Sequence, residues 1–509
     1  MFKHIIITLT LTAFAILPLL SQQQWCGTTG AFAEQVEQQL IENKERLRKG
    51  LVTTRDIEYI PVKFHLIGRV DGEGRIAINK LLDQLCALNE DFEPVGFQFY
   101  LHEGFNYIYN DQAFENHISV QNTVLESNRD PNALNVYIPE SANFSAGSAG
   151  TVLGYFDPGF DWLVISRDEI SGSSSTGPHE FGHFFGLLHP FHGWEPNAWN
   201  QADHGNPVTQ NFAPDGANRV ELVDGSNCNI AGDRICDTPA NYNFGLGWPD
   251  CDFTEEIYDR NNDLLDPEEK LFMSYFLLCN RNDYFFTEDQ IAVMQSDYLS
   301  PTSSYYRSDY VPNQTEITST AVPQSPANGQ AFERYNDIEF SWSDVEGATA
   351  YNLQIALEPT FSSPIYDEVV NGNSTVIQEL EPTRLHFWRV RPFNEYRTCT
   401  NFSSFQTLST GAITSNVNRD AEEELSVSPN PVRSGGQLWI ELKTQDTFEA
   451  QFHLYDITGR HLRELGRQNI RPGNNNISLR LNRNLQSGLY LLEMRQRNRR
   501  RYTRLVISE

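Results

Sequence analysis

The stretch TGPHEFGHFFGLLHPFHG, residues 176–193, sets His179-Glu180-x-x-His183-x-x-Gly186-x-x-His189 at spacings that suit metal chemistry. On a helix, His179 and His183 are one turn apart and point to the same side. Gly186 lets the chain leave that helix abruptly, because glycine tolerates positive φ, and the turn can bring His189 back as a third nitrogen. Three histidines leave one position open on a tetrahedral Zn2+, as catalytic sites require. Glu180 can reach a water at the metal without being a ligand, and so can act as general base in hydrolysis at a polarised carbonyl. Two duller readings compete. In one, a structural helix carries incidental histidines; in the other, His192 or Asp203 closes a structural zinc site, which has no use for the placed glutamate.

Several elements must position these groups. EYIPVKFHLIG (58–68) alternates like a strand, INKLLDQLCALNEDF (78–92) has helical periodicity, and 96–102 and 134–139 are further strands. This order predicts an α/β (α+β) lobe. Residues 31–49 predict an exposed, charge-laced helix, and Cys86 falls in the apolar pattern of the second helix, where a buried thiol is expected. Residues 322–408 and 425–509 turn wholly β, with short strands separated by turn residues. Two all-β sandwiches are expected there.

The chain has 509 residues, enough for three or four domains, and a net charge of −29 that argues against wrapping nucleic acid. The charge is uneven: from residue 425 onward, 14 Lys and Arg stand against 7 Asp and Glu, so the last segment reads as a separate module. Residues 1–21 carry Lys3 and His4, then an apolar run ending at Ser21, and read as a secretory signal peptide. No later run is long enough to span a membrane, so no transmembrane segment is expected in the mature chain. Export permits disulfides among the seven cysteines. Cysteines 228, 236, 251 and 279 allow three pairings, of which Cys228–Cys236 with Cys251–Cys279 is favoured. DRNNDLLDPEEK (259–270) begins like an EF-hand loop but lacks the glycine and the final glutamate, and is rejected as one.

The histidine motif, together with Met273 in LFMSYF, resembles the metzincin zinc endopeptidases. WCGT (25–28), GDRICDTPAN (232–241) and the cysteines around the methionine narrow the likeness to the pappalysin family, over roughly residues 25–300. That resemblance implies a protease domain at 56–300, with protein or peptide substrates, Met273 as an apolar floor beneath the metal, and Tyr275 near the metal or the developing oxyanion. It also implies a pro-segment at 22–55 whose Cys26 fills the open metal position as a latency switch, removed by cleavage within 44–55. The rivals for Cys26 are a disulfide to Cys86 or Cys399 and a plain exposed thiol. Ca2+ near Asp233, Asp237 and Thr238 is a further implication, against an ordinary Asx-turn loop. Substrate is expected extended along 150–156, and the residues after Tyr275 offer no acid, which suggests an apolar preference beyond the scissile bond.

Residues 318–408, with Trp342, GATAYNLQIA and FWRVR in order, resemble a fibronectin type III domain. Residues 425–509, with SPNP, YDITGR and GLYLLEM, resemble the C-terminal sorting domain of type IX secretion substrates. This implies engagement of that machinery and a secreted or outer-surface location. The rival to an enzyme is a secreted adhesin or scaffold that keeps a metalloprotease fold.

Overall fold

The computed structural model describes residues 25–50, 57–144, 151–245, 247–412, 426–444, 447–456, 461–482, 485–496 and 499–508. The signal-peptide reading (1–21), part of the expected cleavage stretch (51–55) and most of the second linker lie outside these residues.

The N-terminal body is built on β1 (Glu58–Gly68), β2 (Phe97–Leu101), β3 (Asn106–Tyr109), β4 (Leu134–Ile138), β5 (Gly154–Asp157) and β6 (Trp162–Ile165). They form one sheet in the order β2-β1-β4-β6-β5, with β3 continuing beside β1. Pairings among β1, β2, β3, β4 and β6 are parallel, and β5 alone runs antiparallel, at the edge. Parallel strands covered on both faces read as near-continuous apolar runs, and β2, β4 and β6 are buried throughout.

Four helices matter for the site: α1 (Ala31–Arg48), α2 (Ile78–Asp91), α3 (Thr176–Phe184) and α4 (Glu288–Tyr298). Helix α1 is not the exposed helix its charges suggest. Ala33, Val36, Leu40 and Asn43 recur at helical spacing and are all buried, the three apolar ones within the main core. Its polar stripe also faces protein. Gln39 and Asn43 donate to buried Asp297 of α4 at 2.8 and 3.0 Å, and Ser296 donates to the Asn43 carbonyl at 2.9 Å.

The expectation for Cys86 is also corrected. It is half-exposed and joined to Cys399, 313 residues away. The other two bridges, Cys228–Cys236 and Cys251–Cys279, are those expected, and Cys26 is a free, buried thiol.

Beyond the α/β body come two β-sandwiches. In the first, a five-stranded sheet (Tyr366–Val370, Ala350–Ala356, Leu385–Phe393, Gln406–Ser409, Gln330–Ala331) faces a three-stranded one (Ser374–Glu379, Asn336–Trp342, Pro323–Ser325). Their inner faces meet around Phe340, Trp342, Leu353 and Trp388. Its outer face meets α2. The carboxylate of Asp367 accepts from the backbone N–H of Ile78 at 2.8 Å, Gln354 donates to Asn79 at 2.8 Å, and Arg391 bonds Asp83 at 2.7 Å. Helix α2 begins after Ala77, which has no side-chain acceptor to cap it, so Asp367 supplies that cap from the other body. The tail sandwich, residues 426–508, pairs three- and five-stranded sheets over a core drawn from its own residues, among them Leu438, Phe452, Leu492 and Leu505.

Candidate metal centre

All nine residues of α3 are buried, so its histidines project into protein rather than solvent. The helix ends because Gly186 adopts φ +85°. The N–H of Leu187 then bonds the Gly182 carbonyl and that of Gly186 bonds the His183 carbonyl, both at 3.0 Å, the pair of bonds of a Schellman cap. This turn carries His189 back over α3. A Cβ at Gly182 would collide with the Met273 sulfur, which lies fully buried against the helix.

The three imidazoles converge. Nε2 of His183 lies 3.2 Å from Nε2 of both His179 and His189, and those two lie 3.3 Å apart. The Nδ1 atoms of His179 and His183 face backbone carbonyls, Phe272 and Leu187, each at 2.7 Å. Carbonyls accept only, so these Nδ1 atoms carry the protons and the Nε2 lone pairs are bare. On His189, Nδ1 faces a Glu195 oxygen at 3.1 Å, with the same consequence. Such close contacts between bare lone pairs are not hydrogen bonds; they are the geometry of donors around a cation. Zinc–nitrogen bonds of about 2.05 Å at tetrahedral angles place nitrogens about 3.3 Å apart. Burial pushes His179 down to about 3 and lowers His183 and His189, which keeps the imidazoles neutral and able to bind metal.

The other expected residues gather at the same place. Cys26 Sγ lies in one cluster with the three Nε2 atoms, all within 4.8 Å of one another. It is also 3.5 Å from Glu180 Oε2. Burial, then the neighbouring Glu180, push the Cys26 thiol up, and burial pushes Glu180 up. The Tyr275 hydroxyl accepts from the Cys26 N–H at 3.3 Å, and its ring packs on His189 with centroids 5.0 Å apart. Trp25–Gly27 lies parallel along the β5 edge, with Leu153 N–H on the Trp25 carbonyl at 2.7 Å and Gly27 N–H on the Gly154 carbonyl at 2.9 Å. The expected substrate strand therefore carries the N-terminal segment; Gly150 itself lies outside the described residues. Gly154 lets the Glu180 side chain sit against this edge, since a Cβ there would meet Glu180 Cγ at 2.8 Å.

His192 and Asp203, the fourth ligands of a closed site, are turned elsewhere. His192 faces Glu195 and Asn218, and Asp203 is exposed on a short helix. The segment after Tyr275 does lack an acid. A cavity of about 210 Å³ beside Leu277 nevertheless includes Glu169, whose Oε2 accepts from Ser174 and Thr176 at 3.1 and 2.8 Å. That acid arrives from the segment after β6, which a reading confined to 276–278 could not supply.

The calcium candidates separate. Asp237 turns to the start of α4, accepting from Thr287 Oγ1 at 2.7 Å and Asp289 N–H at 2.9 Å. Asp233 is fully buried, with Oδ1 bonded to Ile235 N–H and Thr238 Oγ1, both at 2.9 Å. Its Oδ2 and the Oε2 of buried Glu221 have no protein partner. Burial, and for Glu221 the neighbouring Asp233 as well, raise both acids, Asp233 to about 7. Glu221 and Glu195 are the residues the motif reading missed. Only a carboxylate in an otherwise apolar stretch marks either one.

Comparison with known proteins agrees at a coarser level. Residues 426–508 match the family model of the secretion system C-terminal sorting domain. Over 274 residues the chain is 26% identical to an extracellular metalloprotease of Colletotrichum graminicola, covering 47% of this chain and 82% of that one. Over 243 residues it is 24% identical to an extracellular metalloprotease of Verticillium alfalfae, covering 44% and 73%. Among solved structures, the fibronectin(III)-like modules of Clostridium thermocellum CbhA align with a TM-score of 0.16 at 10% identity, over 37% of this chain and 93% of that one, a score from which no shared fold follows. No helix among the described residues is long and apolar enough to cross a membrane. The chain is thus a distant relative of extracellular metalloproteases, and its sorting tail directs it to the secretion machinery and to the outside or outer surface of the cell.

Proposed function

We propose that the protein is a secreted zinc endopeptidase of the metzincin type, pappalysin-like, held latent by its own N-terminal segment. The observation that carries this is the triangle of three bare Nε2 atoms at 3.2–3.3 Å beside a buried carboxylate. His179, His183 and His189 would hold zinc, which supplies a Lewis acid that polarises a peptide carbonyl and acidifies water. Glu180, already raised by burial, takes the proton and returns it to the leaving amine. The Tyr275 hydroxyl, freed from the Cys26 N–H, donates to the developing oxyanion. The β5 edge receives the substrate backbone as an added strand.

In the structure at hand Cys26 Sγ sits against Glu180, the Cys26 N–H occupies Tyr275, and the segment pairs with the β5 edge. One peptide thus takes the base, the oxyanion donor and the substrate strand together. A cation at the histidines would also reverse the upward push on the thiol and favour the ligating thiolate. The adhesin reading has no use for these three contacts. The first sandwich is read as fibronectin type III-like and without chemistry of its own.

A second site is favoured by the two orphaned oxygens of Glu221 and Asp233. Neighbouring buried carboxylates with two unpartnered oxygens suit a divalent cation, although the Lys44 ammonium already interacts with Asp233, and oxygen donors suit calcium.

The test uses the full chain. Zinc content and cleavage of denatured casein are measured before and after limited proteolysis, for the native protein, Glu180→Gln and Cys26→Ser. One zinc per chain, cleavage that appears on proteolysis, early activity in Cys26→Ser and zinc without cleavage in Glu180→Gln are expected. Absence of zinc, or undiminished cleavage by Glu180→Gln, overturns the reading.

A further inference from the structure

The three histidines are not supported alike. His179 and His183 lean on neutral backbone carbonyls, whereas His189 leans on the Glu195 carboxylate, which is 8% exposed. Glu195 Oε2 accepts the Gly193 N–H at 2.7 Å, which fixes the carboxylate in the turn that follows His189. A second imidazole shares it, with His192 Nδ1 3.3 Å from Oε1. The Asn218 amide nitrogen bonds Asp215 Oδ2 at 2.7 Å and points its other hydrogen at His192 Nε2, 3.1 Å away. His192 therefore accepts at Nε2 and keeps its proton on Nδ1, facing Glu195. An unbroken polar series thus runs from the exposed loop at 215–218 through Asn218, His192 and Glu195 to His189.

We propose that Glu195 is the positioning residue that makes His189 a strong metal ligand, with His192 and Asn218 holding Glu195 in register. This rests on reading the three histidines as zinc ligands. His179 and His183 are preset by one rigid helix, one turn apart. His189 arrives on a turn, and nothing in helical geometry fixes its ring. The carboxylate holds the proton on Nδ1, aims Nε2 at the centre and adds negative charge behind the imidazole, which raises its donor strength. It also balances part of the dication's charge in a buried site.

The test uses the full-length chain with zinc alone as the probe. Zinc affinity is measured by competition with a chelator, and the rate of zinc loss by transfer to a chromogenic chelator. Circular dichroism and thermal unfolding report the fold. Glu195→Gln, nearly isosteric, is expected to stay folded, to bind zinc 10–100-fold more weakly and to lose it faster. Glu195→Asp is expected to recover part of that affinity, and Asn218→Ala to weaken it in the same direction but less. Saturating zinc is expected to restore most peptide cleavage to Glu195→Gln. Unchanged zinc affinity and loss rate in Glu195→Gln overturn the role of Glu195. An Asn218→Ala protein that melts earlier while exchanging zinc as the native chain does overturns the part given to Asn218. A native chain that binds no zinc overturns the metal-centre reading itself, a result distinct from a native chain that binds zinc with no effect of Glu195.

Discussion

The sandwich spanning residues 323–409 shares its outer sheet face with the α/β body, whereas the tail spanning 426–508 buries side chains of its own. Both are antiparallel-rich pairs of three- and five-stranded sheets. The difference lies in a few polar residues. Asn352, Gln354 and Arg391 sit on the face that strand alternation assigns to solvent, yet they are 0%, 1% and 3% exposed. With Asp367 they cap and clamp α2, and Cys86–Cys399 secures the same helix. Helix α2 in turn touches the histidine-bearing segment: Gln84 accepts the Ser171 N–H at 3.2 Å and abuts Gly177 of α3. The module that resembles a fibronectin type III domain in sequence is, in this fold, a wall of the body that carries the candidate metal centre.

The sharpest way to break this contrast is deletion. Removing residues 313–412 is expected to abolish zinc binding and cooperative unfolding of the α/β body, while removing 426–509 leaves both intact, as read by zinc content and calorimetry. Chelation comes next. Stripping zinc is expected to lower the melting transition of the α/β body with its attached sandwich, by about 4 kcal/mol when free zinc was a thousand times its Kd, and to leave the tail's transition in place. A single cap is smaller. Asp367→Ala leaves the Ile78 N–H, Asn352 and Gln354 without their acceptor, and an expected cost of about 1–3 kcal/mol should appear in urea unfolding of the larger unit alone.

The last contrast is in pH dependence. Burial, against the hydrogen bonds from Gln39 and Asn43, raises Asp297 to about 6. Its unfolded value is about 3.9, so between about pH 4 and 6 the folded chain holds the extra proton. This group's contribution to stability therefore falls as pH rises through that window and is constant above it. Asp297→Asn is expected to remove that part of the slope from the larger unit and to leave the tail unchanged, measured by unfolding at pH 4, 5, 6 and 7. An equal change in both units would end the distinction between them.

The centre was legible because its chemistry is local. His179, Glu180, His183, Gly186 and His189 fall within eleven positions, and helical periodicity with one left-handed glycine suffices to place them. The pairs Cys228–Cys236 and Cys251–Cys279 were legible for the same reason, being 8 and 28 residues apart. Helix α1 misled because its many charges mask a narrow stripe of Ala33, Val36, Leu40 and Asn43, whose spacing was the available signal. Cys86 misled because an amphipathic helix offers two partners. Its pattern names an apolar face but not the body that covers the rest.

What the sequence determined by itself is the grouping of three histidines with Glu180, the turn that returns His189, and the alternation that makes two sandwiches. These follow from short-range geometry, where residue spacing and backbone period are enough. Tertiary structure alone decided that Glu195 stands behind His189, that Glu221 is buried in the neighbourhood of Asp233, that Asp367 caps a helix some 290 residues before it, and that Trp25–Gly27 fills the edge of β5. Each of these joins groups whose separation along the chain carries no period. Burial and hydrogen bonding select most of them, and both exist only once the chain has folded.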